Sequence, residues 1–194
     1  MTIPRPAGGG PPLPSVELSG DGVLLRAPRR EDVPDIHAAS QDPETQRWTT
    51  IPVPYRQEDA VSFVEEYAGR GWADGTLPVF AVVREADDRW CGAIDLRLGV
   101  AGTAGTVAEV GYVVAPWARR QGVGTAAVRL ACRWAFEGLG LARVDWWAHV
   151  GNWGSRRTAE RVGFVVEGTA RSRLVVRGER RDAWFGGLLP QDLA

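Results

Sequence analysis

Residues 123–137 carry the most regular pattern in the chain. Ala127, Val128, Ala131, Cys132 and Ala135 recur at helical spacing, and Gly138 and Gly140 follow. Apolar residues at this period define one buried stripe, and glycine after it stops a helix. Just upstream, Val107–Val114 reads as a strand. A strand, a short loop and a long amphipathic helix need a sheet for the stripe to lie on, so the chain must layer helices against strands.

The other segments fit that frame. Val23, Leu24 and Leu25 form a short strand ended by Pro28, and residues 29–39 read as a helix with Val33 and Ile36 on one face. A proline-containing stretch spans 42–54, and residues 57–70 form a second helix through Ala60, Val61, Val64 and Tyr67. Strands are expected at 79–84 and 90–98, a glycine-rich loop at 99–106, a strand at 141–149 and a helix at 153–162. Residues 163–168 and then a pair, 171–177 and 183–189 around a turn at 178–179, complete the order. Gly111 interrupts its strand, where a bulge or a close approach fits. The expected fold is a mixed α/β (α+β) sandwich with a largely antiparallel sheet.

A chain of 194 residues suits one domain. Residues 1–14 are rich in proline and glycine, which predicts a flexible tail ahead of a domain at 15–194. All 23 basic residues are arginine. That excludes a Schiff-base lysine, a lysine base and a Walker-type phosphate lysine. Cys91, Cys132, His37 and His149 are isolated, which speaks against a metal site and a Cys–His nucleophile; one Cys91–Cys132 bridge stays open. No apolar run is long enough to span a membrane, and no signal-peptide pattern is present, so a cytoplasmic protein without membrane partners is expected. Residues 1–114 hold 10 Arg against 17 acids; residues 115–194 hold 13 Arg against 7. The basic half suits an anionic ligand and the acidic half a cationic one.

Chemistry concentrates in Arg119, Arg120, Gln121, Gly122, Val123, Gly124 and Thr125, between a strand and a helix start. Glycines let backbone pass close to a ligand, and the free N–H groups and dipole of a helix start favour an anion. The arginines add charge and bidentate donors. The segment therefore predicts a phosphate or pyrophosphate site.

Arg119-x-x-Gly122-x-Gly124 resembles the acyl-CoA pyrophosphate motif of the GNAT N-acyltransferase superfamily. The resemblance extends to 108–112 before it and, after it, to Asn152-x-x-Ser155-Arg156-x-x-Ala159-Glu160-x-x-Gly163-Phe164. This last block is similar to the RimJ/RimL-like subgroup, which acetylates ribosomal-protein N-termini. The resemblance covers roughly residues 23–189, loosely in the first third. It implies a central sheet of six to seven strands, splayed in the middle, with about four flanking helices. It implies acetyl-CoA or another short acyl-CoA as co-substrate and no metal. Val113 and Val114 would meet pantetheine, the amides of 119–125 the pyrophosphate, and Asn152 the cofactor arm.

Direct attack of an amine on a thioester needs a neutral amine, a polarised carbonyl and a protonated leaving thiolate. Glu109 is the base candidate, with an arginine-paired carboxylate as its structural alternative. Many family members carry a Tyr where this chain has Ala159, so Ser155 becomes the candidate acid; it could equally cap its helix. Tyr112 reaches either the thioester or the core. The resemblance further implies an acceptor pocket around Trp48, Thr49, Tyr55 and residues 170–181, with Asp42 and Glu44 able to lend negative potential. Arg171, Arg173, Arg177, Arg180 and Arg181 point the other way, to an acidic acceptor or acyl carboxylate. The expected activity is acyl transfer to a primary amine, either a protein N-terminus or a small molecule, by a monomer or homodimer without specific nucleic-acid binding. The alternative is a non-catalytic acyl-CoA-binding module.

Overall fold

The computed structural model describes residues 11–100, 103 and 105–194. Most of the expected 1–14 tail, and Ala101, Gly102 and Ala104 of the glycine-rich loop, lie outside them. Leu13 donates its N–H to the Trp72 carbonyl.

The described residues form one sheet of eight strands, more than the six to seven expected. In chain order they are β1 (Leu18–Gly20), β2 (Val23–Arg26), β3 (Val79–Arg84), β4 (Arg89–Leu98), β5 (Val107–Val114), β6 (Arg143–His149), β7 (Val165–Val176) and β8 (Glu179–Leu188). Their spatial order is β1-β2-β3-β4-β5-β6-β8-β7. Every pairing is antiparallel except β5 with β6. The extra strand is β1, a three-residue edge too short to show a period in the sequence. The two runs expected at 163–168 and 171–177 are one strand, β7. Its register against β8 shifts twice, which absorbs the intervening polar residues. Gly111 carries no bulge: β4 and β5 stay in register from Leu98↔Ala108 to Gly92↔Val114.

The helices are α1 (Val33–Ser40), α2 (Pro43–Trp48), α3 (Gln57–Ser62), α4 (Gly69–Ala73), α5 (Val123–Glu137) and α6 (Trp153–Val162). A π-helical stretch, Phe63–Ala68, joins α3 to α4. The α2 helix lies where only a proline-containing stretch was expected. Asp42 starts it by accepting from the Thr45 N–H, with Pro43 in the first turn.

The two faces of the sheet bury separate clusters. Helices α5 and α6 cover one with Phe80, Leu96, Val110, Val128, Val144 and Trp146. Helices α1 and α3 cover part of the other with Val33, Ile36, Ala60, Ala81, Trp90 and Ala93. Cys91 and Cys132 are free and buried, so the bridge is not formed. No helix among the described residues is long and apolar enough to cross a membrane.

The feature that positions the site is a fork. β5 and β6 pair only from Val107↔Arg143 to Val110↔Trp146. Beyond that, β5 stays with β4 up to Val114↔Gly92, and β6 stays with β8 up to His149↔Ala183. Each strand follows its antiparallel partner, and a gap opens between them.

Candidate active site

The floor of the fork is unpaired backbone. Ala115 donates its N–H to Cys91 across β4 at 2.8 Å. Alternation along an antiparallel ladder then gives Val113 and Gly111 to β4 and turns the polar backbone groups of Tyr112 and Val114 toward the gap. Val113, expected against a pantetheine arm, thus spends its backbone on Ala93; Tyr112 and Val114 are the residues whose backbone faces the fork. The Val114 carbonyl already accepts from Arg119 Nε at 3.2 Å.

At the mouth of the fork sits the start of α5. Gly122 precedes it with φ 83°, a conformation costly for any other residue, and no side chain caps the helix. Ala126 donates back to the Gly122 carbonyl, which leaves the amides of Val123, Gly124 and Thr125 as the orphan donors of the first turn. Gly124 has a packing reason as well: a Cβ there would come within 3.0 Å of the Val114 side chain. Arg120, exposed at φ 61°, is a cation beside these amides. Gln121 turns its side-chain amide back to the Trp117 carbonyl at 2.7 Å.

Arg119 departs from its expected role as a phosphate donor. Its guanidinium donates to Asp42 Oδ2 at 2.6 Å and Thr45 Oγ1 at 2.8 Å. It therefore fastens the loop to the start of α2. Burial pushes Asp42 up, but the bonds from Arg119 and Thr45 outweigh it and hold the carboxyl below the usual range. Asp42 is consequently not a free negative charge for an acceptor. Glu44 is likewise engaged, by Trp48 Nε1 at 2.8 Å and Arg47.

On the α6 side, Asn152 is the helix cap: its Oδ1 accepts from the Ser155 N–H at 3.1 Å. Ser155 Oγ accepts from Trp146 Nε1 and donates to the Tyr112 hydroxyl, both at 3.0 Å. Tyr112 in turn donates to the Ser155 carbonyl at 2.8 Å. Burial pushes Tyr112 well up, and its bonds to Ser155 and Trp146 offset this only in part. The pair is a closed chain of neutral hydroxyls at the edge of the fork.

On the opposite face, Glu109 is joined by a residue the sequence reading missed. Asp95 faces Gly111, and Arg97 faces Glu109, across the β4–β5 ladder. Arg97 Nη1 donates to Glu109 Oε1 at 2.7 Å, so the base candidate is also the arginine-paired carboxylate of the structural alternative. Asp95 Oδ1 is buried 3.2 Å from Arg97 Nη2 and has no hydrogen-bond partner among the described residues. Burial pushes Asp95 up to about 6, with Arg97 pulling it down and Glu109 adding to the rise. The absence of a side chain at Gly111 makes this possible: a Cβ there would lie 2.8 Å from Arg97 Nη2 and 3.0 Å from Asp95. Only the strand register brings these four together, so spacing along the sequence holds no signal for Asp95.

Tyr55, expected around the acceptor, is buried with Val33, Ile36 and Ala60 in the second cluster. Trp48 lines a cavity of about 720 Å³ with His149, Arg47, Arg177, Arg180 and Arg181. Its ring lies 6.1 Å from that of His149. Burial, then the Arg181 charge, lowers His149 below the usual histidine range. Arg173 lies over Trp147 at 5.0 Å instead of facing the cavity. No group of three or more His, Cys, Asp or Glu among the described residues could hold a metal ion.

The sequence pattern of the family described as "Acetyltransferase (GNAT) domain" matches residues 23–165. The chain is similar to "Putative ribosomal N-acetyltransferase YdaF" of Bacillus subtilis, with 44% identity over 85 residues, 44% of this chain and 46% of that protein. The match thus spans about half the length of that relative. Among solved structures, the fold is shared with "Mycobacterium smegmatis RimJ in complex with CoA-disulfide" at TM-score 0.79 and 21% identity, covering 92% of this chain and 88% of that one. It is shared equally with the "putative ribosomal-protein-serine acetyltransferase" of Vibrio cholerae, at TM-score 0.79 and 21% identity, covering 92% and 99%.

Proposed function

Because the chain belongs to the GNAT acetyltransferase family, we propose that it transfers an acetyl group from acetyl-CoA to the primary amine of a protein N-terminus. The observation that carries this reading is the fork itself, an unpaired strand edge leading to an uncapped helix start. The residues present fit acetyl-CoA. The orphan amides of 123–125 and the Arg120 charge suit the pyrophosphate. The fork-facing backbone of Tyr112 and Val114 suits the amide-bearing pantetheine arm. The name of the Bacillus subtilis relative supports a ribosomal-protein acceptor.

In the reaction the amine nitrogen bonds to the thioester carbon, the carbon–sulfur bond breaks, and the sulfur leaves with the bonding pair. Two protons must then be placed. The pair Asp95 and Glu109, beneath Gly111, takes the one proton lost by the amine; Asp95 is a stronger base than an ordinary carboxylate because burial disfavours its charge. Arg97 holds the two carboxylates in position. Ser155, held by Trp146 Nε1 and with its own O–H directed at the Tyr112 hydroxyl, turns that proton to the departing sulfur and regains one from water.

The test is release of free CoA from acetyl-CoA across a panel of N-terminal peptides and small amines. Acceptor-dependent release with peptides supports the reading. Tight acetyl-CoA binding without such release identifies a binding module and overturns it.

A further inference from the structure

We infer that the acceptor is a peptide whose N-terminal residue is followed by acidic residues, and that Arg177 and Arg180 hold those carboxylates in the cavity beside Trp48 and His149. This rests on the acetyl-transfer reading and names its substrate class.

The cavity is of ligand size, about 720 Å³, and opens at the end of β6, the strand that forms one arm of the fork. Four arginines line it: Arg47, Arg177, Arg180 and Arg181. Two of them are already neutralised, Arg47 by Glu44 and Arg181 by Glu179. The other two are not. Arg177 donates to the Ile51 carbonyl at 3.2 Å and Arg180 to the Ser172 carbonyl at 3.1 Å, and neither has a carboxylate within ion-pair distance among the described residues. These backbone bonds use one nitrogen of each guanidinium, orient the rest and leave the charge unanswered. The nearby Asp182 is engaged by the Ser172 N–H at 2.8 Å. The hairpin that carries both arginines turns through Arg177 and Gly178, each at positive φ.

The surroundings of His149 do a second job: burial first, and then the Arg181 charge, disfavour its charged form. An ammonium entering past His149 is discouraged in the same way, so it arrives closer to the neutral form that attacks. A cavity that repels cations yet must admit an amine selects a molecule with its negative charge on the tail. Nucleic acid meets the charge requirement but offers no aliphatic primary amine.

The experiment compares three peptides of equal length and identical first residue, followed by acidic, neutral or basic residues. The acidic peptide is expected to show kcat/KM about tenfold above the neutral one, mostly through KM, as one or two charge-assisted hydrogen bonds allow. The preference should shrink as salt rises. In the double variant Arg177→Glu/Arg180→Glu it should pass to the basic peptide while the KM for acetyl-CoA stays the same. Calorimetric binding of the three peptides to the CoA complex separates this from the acetyl-transfer reading. Selective binding of the acidic peptide without turnover sinks the transferase reading and keeps the binding inference. Equal binding of all three, or an acidic preference that survives the charge reversal, overturns the inference.

Discussion

Asp95 is the residue at which chemistry and stability pull in opposite directions. Its carboxyl is raised to about 6 by burial, so the folded protein binds its proton more tightly than the unfolded chain. Ionised Asp95 therefore subtracts from stability above pH 6, and this cost fades as the pH falls through 6 toward the ordinary carboxylate range. Asp95→Asn is expected to raise Tm at pH 8 relative to the wild type, to keep only part of that advantage at pH 5 and to lose it near pH 4. The same variant should lower kcat by about 10²-fold or more, the scale of a lost general base. It should also remove the acid limb of the pH–rate profile near 6. An unaltered acid limb assigns the proton to Glu109 alone. No such reading was open from the sequence, where Asp95 and Glu109 lie on different strands with a glycine-rich loop between them.

At the scale of elements, the periodic ones were legible and the paired or capped ones were not. Helices α5 and α6 fall where the apolar spacing puts them, because a long stripe on a sheet leaves little freedom in phase. The short helix α2 is set by Asp42 capping and by Arg119, 77 residues away, and a tertiary tie of that kind has no local signature. Of the site, the glycine–arginine loop and the Asn152–Ser155 block were visible as motifs. The roles within them were not: whether Arg119 faces a ligand or Asp42 depends on where α2 lies. Another invisible tie joins β2 to the turn before α1. Arg26 is buried and donates twice to Asp32, at 2.9 Å each, and once to Asp88 at 3.1 Å. Asp32 also accepts the Arg29 N–H at 2.8 Å. Asp32→Ala strands a buried guanidinium and is expected to cost about 3–5 kcal/mol in urea unfolding. A cost below 1 kcal/mol would show that Asp88 can carry the charge alone.

For the molecule as a whole, the charge split along the chain takes a spatial form. Acids of the first half are largely consumed by arginines of either half, as in Arg119–Asp42, Arg97–Glu109 and Arg129–Asp21. The excess positive charge survives near the α5 start and on the β7–β8 hairpin, beyond the β5 arm and beside the β6 arm of the fork. Arg119 has a consequence that reaches across the molecule. One guanidinium holds both the loop that would grip the cofactor and the helix that carries Trp48, a wall of the cavity proposed for the acceptor. A load placed on the loop is expected to be felt at the wall, which would couple the two substrates in one equilibrium. Peptide affinity should differ between the free and the CoA-bound protein, CoA affinity should change by the same factor when peptide is present, and Arg119→Gln should bring that factor to one. In a chain without lysine, one arginine thus ties the glycine-rich loop before α5 to the helix that borders the neighbouring cavity.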